Sequence, residues 1–357
     1  MSDAYNNLSF MENIVVSVIV PIYNVKGFIN RGINQLLNQS YQDFEIILVD
    51  DGSTDGSLEE CKLWEQKESR VIVLHQQNQG AGSARNLGIE HSKGSYIYFF
   101  DIDDEISPRL LEYNVQMMET HSADMIVFGY KSIDTIYKSE VIIDFPQIQV
   151  NSNEQLRDIY VDEFVLKVNG FPWNKFYRKA FLDKYNLRFE NQRIQQDEVF
   201  NMLCYRHVEK MFVSPEVLYY YYVYDKGNTR SRFIADRFDI YKSVRKHFED
   251  LKLYWKLVDK RLDDYLCKRF YDSVMSCMLF NLTHPKCTFS NQQKRDEMER
   301  IMNDALTIEA FDYANEIYMG IEQRLYRRAC RNKSLWQINF LVSFFSNLRS
   351  LYSKIRK

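Results

Sequence analysis

Hydrophobic and polar positions sort the first 130 residues into two kinds of block. Residues 16–22, 44–49, 71–74, 95–100 and 125–130 are apolar almost throughout, rich in Val, Ile, Phe and Tyr. Runs of that length without polar alternation predict strands buried on both faces. Between them, residues 25–38, 58–67 and 84–91 carry helical spacing, with Phe28, Ile33, Leu36 and Leu37 on one face of the first. Strands alternating with helices predict an α/β fold, with a mostly parallel central sheet covered by helices on both faces.

Periodicity weakens over residues 131–153, which read as strands and loops extending that sheet. A helix follows at 180–185, and an apolar helix opens at Gln195-Gln196-Asp197-Glu198 and runs to Tyr205. Tyr219 to Tyr222 reads as a strand with Tyr224 beyond it, and residues 233–320 are helical without motifs. The expected organisation is a tail at 1–13, two halves of one α/β domain at 14–130 and 131–230, a helical bundle at 231–322 and a basic tail at 323–357.

In open α/β sheets, ligands bind at the carboxyl ends of the strands. Here those ends carry Tyr23-Asn24, then Asp50 to Asp55, then the flexible-looking Gly80 to Ser83 with Arg85, and finally Asp101-Ile102-Asp103-Asp104-Glu105. Ser107-Pro108 then reads as a helix N-cap and a first-turn proline. Four clustered carboxylates repel one another and so suggest a cation. Asp and Glu without His or Cys nearby supply hard oxygen ligands, suited to Mg²⁺ or Mn²⁺ and not to zinc. A solvated acidic turn is the competing reading, and the polar clusters at the other strand ends weigh against it. Asp50 and Asp55 read as turn chemistry around Gly52, and Asn86 is open between a helix surface and the site.

Composition narrows the choice. The 357 residues exceed one average domain, and 45% hydrophobic with 27% charged residues is ordinary for a globular chain. A net charge of -3 gives no pull toward nucleic acid. Six scattered cysteines form no CxxC pair and six histidines no metal-binding spacing, which predicts free thiols in a reducing cytoplasm and no zinc site. No stretch reaches the ~20 apolar residues of a membrane span, and nothing reads as a signal peptide. Neither GxGxxG after the first strand nor GxxxxGK[ST] occurs. A nucleotide diphosphate would therefore be held by a metal and side chains instead of a glycine cradle.

The ordered motifs PIYN, VDDGSTD, GAGSARNLGI and YFFDIDD, spread over about residues 16–130, resemble the family 2 glycosyltransferases of the GT-A fold. The resemblance implies an enzyme that moves a hexosyl or N-acetylhexosaminyl group from a UDP-sugar. It makes Asp101 and Asp103 a DxD element for Mn²⁺ or Mg²⁺, with Asp103 the direct ligand and Asp104 nearby or close to the sugar. It gives Asp51 the uracil N–H, and Pro21, Tyr23 and Asn24 the nucleotide, with the Tyr23 ring suited to stacking. Arg85 falls near the diphosphate and the DxD loop, where a guanidinium can also hold carboxylates bidentately. Phe171 to Lys179 resembles a segment of bacterial members, which would put Trp173, Asn174 and Lys175 on a loop over the donor sugar and acceptor. A core tryptophan beside a basic turn is the alternative. Asp197 becomes the catalytic base and Glu198 the second choice, although Gln196 departs from the usual acidic pair and acids in a first helical turn also suit the helix dipole.

An acceptor hydroxyl needs such a base, and a positioned carboxylate is worth about 10²–10⁴-fold. Displacement in one step inverts the anomeric carbon. A glycoside hydrolase also pairs carboxylates, but the strand-end nucleotide motifs argue against it. A sugar nucleotidyltransferase would need a glycine- and arginine-rich loop that PIYNVKGF lacks, and a non-catalytic UDP- or glycan-binding module stays open.

The tail differs from the rest. After Glu322 there is no acid, while Arg324, Arg327, Arg328, Arg331, Lys333, Arg349, Lys354, Arg356 and Lys357 are basic and interleaved with Trp, Phe and Leu. That composition predicts a helix on an anionic membrane surface, with docking on the chain's own bundle or on a second copy as alternatives. Its apolar content disfavours nucleic acid. With the likeness to capsule, exopolysaccharide and lipopolysaccharide enzymes, it implies a lipid-linked glycan acceptor at the inner face of a bacterial plasma membrane.

Overall fold

The structure, a computed structural model, describes residues 15–167, 170–224, 232–314 and 320–355, the side chains of 349–355 excepted. The expected tail at 1–13, Arg356 and Lys357, and the side chains of Arg349, Leu351, Tyr352 and Lys354 lie outside the described residues. The chain divides into two compact units, Met1–Lys226 and Gly227–Lys357.

The first unit opens with β1 (Val16–Ile22), α1 (Lys26–Leu37), β2 (Phe44–Asp50), α2 (Ser57–Lys67), β3 (Val71–His75), α3 (Ala81–His91) and β4 (Tyr96–Phe99). It continues with β5 (Glu105–Ile106), α4 (Leu110–His121), β6 (Met125–Asp134), β7 (Ser139–Ile143), β8 (Ile148–Val150) and α5 (Asn153–Tyr160). Last come β9 (Lys175–Arg178), α6 (Lys179–Lys184), α7 (Gln196–His207) and β10 (Met211–Val223). One sheet collects the strands in the order β3-β2-β1-β4-β9-β6-β10-β5, with β7 beside β6 and β8 beside β10. The expected parallel sheet is found through β3, β2, β1 and β4 and again between β6 and β10, while β9 is antiparallel to both its neighbours. β1 has β2 on one side and β4 on the other, so the chain leaves it in opposite directions and opens a crevice at the carboxyl ends.

Burial on both faces explains the unbroken apolar runs of β1, β2, β4 and the first half of β6. β3, at the sheet edge, is buried only at Val71, which corrects that expectation. Val16, Val18, Val20 and Ile22 of β1 join Ile29, Ile33 and Leu36 of α1 and Leu110, Leu111 and Met118 of α4 in one core. On the opposite face Ile47 and Val49 of β2 meet Ala84 of α3. Gly88 lets α3 lie directly on β1, because a Cβ there would overlap Ile19 Cγ2.

Three local expectations are corrected. Gly80 to Ser83 is not a loose turn: α3 starts at Ala81, and Gly80 takes φ +97 to enter it. Ser107-Pro108 does not start a helix. Glu105–Ile106 pairs antiparallel with β10, the Ser107 N–H donates to Leu218 O at 2.9 Å, and α4 begins only at Leu110. Ladder hydrogen bonds at that edge override the local capping signal. The Phe171 to Lys179 run leads into a strand, β9, wedged between β4 and β6.

The second unit is helical, as the sequence predicts: α8 (Arg237–Trp255), α9 (Lys260–Ser276), α10 (Asn291–Met302), α11 (Ala305–Tyr313), α12 (Ile321–Arg331) and α13 (Leu335–Ile355). Phe238, Phe270, Val274, Met278, Met298, Phe311, Ala329 and Ile338 form its core. All six cysteines are unpaired. Among the described residues no helix is long and apolar enough to cross a membrane.

Gly88→Ala should lower the denaturation midpoint, with an overpacking cost of about 1–3 kcal/mol. Gly27→Ala, on α1 where an added Cβ meets nothing within 4 Å, should leave it unchanged or raise it. Equal effects in urea denaturation would contradict the close α3–β1 approach.

Candidate active site

Each parallel strand delivers polar residues to the same edge. At the end of β2 the buried Asp50 accepts from the N–H groups of Gly52 (3.2 Å) and Ser53 (3.3 Å) and contacts His75 Nδ1 at 2.8 Å. Asp55 accepts from Lys26 N at 3.1 Å and Ser57 N at 3.0 Å. Both acids thus do turn chemistry. Asp51 is also buried, and its carboxylate accepts from Gln76 Nε2 (2.7 Å), Gln79 N (2.8 Å) and Gly80 N (2.8 Å). It closes the β3–α3 loop against the end of β2.

At the end of β1, Asn24 takes φ 54 and stitches two loops: its Oδ1 accepts from Thr54 N at 2.8 Å and its N–H donates to Ser53 Oγ at 3.0 Å. Pro21 is half-buried, and the Tyr23 side chain stands 39% exposed.

The acidic hairpin after β4 splits into unlike carboxylates. Asp104 is buried and accepts from Tyr219 OH at 2.6 Å and Tyr222 N at 2.8 Å, which ties the hairpin to β10. Burial, then Asp103 and Asp101, push its pKa well above the usual carboxylate range. The Asp103 carbonyl accepts from Arg31 Nη2 at 2.5 Å and Tyr224 OH at 3.4 Å, and Gly32 lets α1 press on Ile102 at the hairpin's centre. The Asp103 carboxyl accepts from no other residue among the described ones. Burial and the neighbouring Asp101 raise it to about 6.

Asp101 meets Arg85, as the resemblance implies for an arginine near the DxD loop, and the same arginine extends the network to Asp197, which the sequence does not reveal. Arg85, on α3 and 3% exposed, donates Nη2 to Asp101 Oδ1 at 2.8 Å and Nη1 to Asp197 Oδ1 at 2.6 Å. Its guanidinium also lies over the Phe189 ring, 5.3 Å from the centroid. Burial works against the arginine's charge, yet Asp197 and Asp101 raise its pKa above the ordinary value. Asp197 sits in the first turn of α7, behind Gln195 at φ 60. Burial raises its pKa and Asp101 adds to this, while Arg85 opposes them. Glu198 follows on the same turn, against Gly170. Beside the network, Arg85 Nε and Gln196 Oε1 are buried with no partner among the described residues, as polar atoms awaiting a ligand or water are.

The structure thus brings Arg85, Asp101 and Asp197 together and places Asp103 on the same hairpin. It does not place Trp173, Asn174 and Lys175 on a loop over a sugar. Trp173 is 2% exposed and stacks on Tyr219 (4.3 Å between centroids) and Phe171 (4.7 Å). Asn174 Nδ2 donates to Phe128 O at 3.1 Å, and Lys175 Nζ to Phe171 O at 2.5 Å and Asn174 Oδ1 at 2.9 Å. Burial drives the lysine's pKa well below its usual value. Aromatic packing and the need to satisfy that buried amine make the segment a core turn. Asn86, left open by the sequence, is bidentate with the backbone of Phe189 at 2.8 Å both ways, fixing the segment before α7 against α3. Sequence reasoning missed Phe189, Tyr219 and Arg31; only the tyrosine run carried a signal.

Among the described residues no three His, Cys, Asp or Glu side chains gather around a metal position. Two hard carboxylates, Asp101 and Asp103, do share the hairpin, and their proximity raises the Asp103 pKa as a bound cation would reverse. A divalent ion held by one or two carboxylates plus phosphate oxygens and water is the usual habit of Mg²⁺, so these residues fit such an ion.

S. aureus TarS residues 1–349, solved in complex with UDP-GlcNAc, superposes with a TM-score of 0.61 and 21% identity, covering 93% of this chain and 92% of that one. The architecture is the GT-A fold. Residues 17–185 match the model of Glycosyl transferase family 2. Glycosyltransferase GlyG of Streptococcus pneumoniae serotype 4 is 33% identical over 218 residues, covering 58% of this chain and 70% of GlyG. The uncharacterized glycosyltransferase EpsJ of Bacillus subtilis is 34% identical over 215 residues; the match covers 58% of this chain and only 60% of EpsJ. The chain belongs to glycosyl transferase family 2.

Tyr219→Phe keeps the stacked ring and removes the donor to Asp104, so a buried acceptor loses its partner. The expected cost is about 1–3 kcal/mol in urea denaturation. No loss of stability would contradict the tie between hairpin and β10.

Proposed function

We propose that the chain is an inverting, divalent-metal-dependent glycosyltransferase. It transfers a hexosyl or N-acetylhexosaminyl group from a UDP-sugar to a hydroxyl of a growing, lipid-linked bacterial surface glycan at the inner face of the plasma membrane. The observation that carries this reading is the Arg85 bridge, which joins a carboxylate of the acidic hairpin to a carboxylate at the start of α7. Support for the donor comes from TarS, a protein of the same fold solved with UDP and with UDP-GlcNAc.

In this reading residues 14–130 hold the donor and residues 131–230 the acceptor. Tyr23 stacks on the base beside Pro21 and Asn24, and Asp51 accepts from the uracil N–H. Asp101 and Asp103 hold Mn²⁺ or Mg²⁺, which when bound offsets negative charge growing on the departing diphosphate. Arg85 lies beside that charge as a second, permanent cation. Asp197 takes the proton from the acceptor hydroxyl. Its raised pKa makes it a stronger base than a free carboxylate, while Arg85 keeps it ionised and aimed. Attack from the face opposite the leaving group inverts the anomeric carbon.

Asp103→Ala should abolish the metal-dependent part of UDP affinity in calorimetry. Asp197→Asn should keep UDP binding and lower sugar transfer by about 10²–10⁴-fold in a UDP-release assay over a panel of UDP-sugars. Loss of UDP binding in the second variant would reassign the base. UDP binding without turnover on any donor would make the chain a binding module.

A further inference from the structure

One face of α13 is packed and the other is bare. Leu335, Ile338, Leu341, Val342 and Phe345 pack into the core of the helical unit, and Tyr326 of α12 meets Phe345 at 5.5 Å. On the far side Trp336, Phe340 and Phe344 are 74%, 54% and 47% exposed, with Leu348 beyond them at 37%. Their four-residue spacing stacks the rings into a ladder: Trp336 and Phe340 lie 5.7 Å apart at 13°, Phe340 and Phe344 6.0 Å apart at 16°. Scattered exposed apolar residues need no explanation, but a contiguous aromatic stripe marks an interaction surface.

We propose that this stripe is the part of the chain that enters an anionic lipid surface, with the ladder in the headgroup layer and the basic residues of 323–357 drawing the chain to the phosphates. The purpose of the contact rests on the lipid-linked acceptor proposed above; the observation does not. Charge selects the occupant. From 323 to 357 the sequence has nine Arg or Lys, named above, and no Asp or Glu. Arg324, Arg328 and Arg331 are exposed on α12. A second copy would bring the same positive charge to the contact and be repelled, whereas an anionic bilayer attracts every one of these groups. Trp and Phe with flanking Arg is also the pattern that settles at the boundary between headgroups and acyl chains. The ladder is too short, and its opposite face too firmly packed, for a membrane span, so the helix lies along the surface.

The test is flotation of the full chain with vesicles of phosphatidylcholine alone or mixed equally with phosphatidylglycerol, without nucleotide, at low and high salt. The chain is expected to float with the anionic vesicles only, to lose binding at high salt, and to shift tryptophan emission to the blue on binding. Trp336→Ser/Phe340→Ser/Phe344→Ser should weaken binding about tenfold or more, as should Arg324→Glu/Arg328→Glu/Arg331→Glu. Leu253→Ser, at an apolar position on α8 that is 78% exposed, should change nothing. Equal binding to both vesicle types, or a triple serine variant that floats like the parent, would overturn the proposal. So would a chain that ignores vesicles and forms an oligomer which the triple serine variant dissolves, because the stripe would then be covered by a second copy. UDP affinity measured on the same samples separates this outcome from failure of the donor site.

Discussion

A single buried guanidinium constrains the whole site. Removing a charge from water costs several kcal/mol unless it is paired and hydrogen-bonded, and Arg85 meets that demand with two carboxylates from distant parts of the chain. Asp101 must stand where β4 ends and Asp197 where α7 begins, or the arginine is left uncompensated. Stability therefore requires the geometry that the proposed chemistry would use. The Phe189 ring beneath the guanidinium and the Asn86 clamp on the Phe189 backbone extend the constraint to the segment that leads into α7.

The acidic hairpin divides its labour in the same spirit. Asp104 is spent on Tyr219 and the β10 backbone, and the Asp103 carbonyl is held by Arg31 and Tyr224. With the backbone pinned from α1 and from β10, the Asp101 and Asp103 carboxyls keep fixed positions although they repel. A loop free to relax would move them apart. The cation proposed for this hairpin would offset that repulsion.

Much of this was legible in the sequence because a strand buried on both faces leaves an uninterrupted apolar run, and the polar residues at its end then mark the sheet's edge. β1, β2, β4 and the clusters at their ends follow from that, while β3 is apolar in sequence but stands at the sheet edge with only Val71 buried. What was not legible depends on partners far away in the chain. Nothing in the spacing of Arg85 and Asp197, 112 positions apart, announces their contact. β5 exists only because β10 offers it two hydrogen-bonded partners, and the Ser107-Pro108 capping signal gives way to that pairing. For the run from Phe171 to Lys179 the family resemblance implies a loop over the sugar, but the structure matches the alternative of a core tryptophan beside a basic turn. Its lysine is instead satisfied inside the core by a carbonyl and an amide, a solution no composition rule predicts.

The central claim of the proposal is that the hairpin after β4, which would hold the donor, and the start of α7, which would meet the acceptor, form one site around Arg85. It is tested most directly by crystals soaked with UDP and Mn²⁺, measured at a wavelength where manganese scatters anomalously. The account predicts an anomalous peak in contact with the Asp103 carboxylate and the diphosphate oxygens, with Arg85 between the phosphates and Asp197. A peak elsewhere, or well-ordered UDP with no manganese at the hairpin, would contradict it.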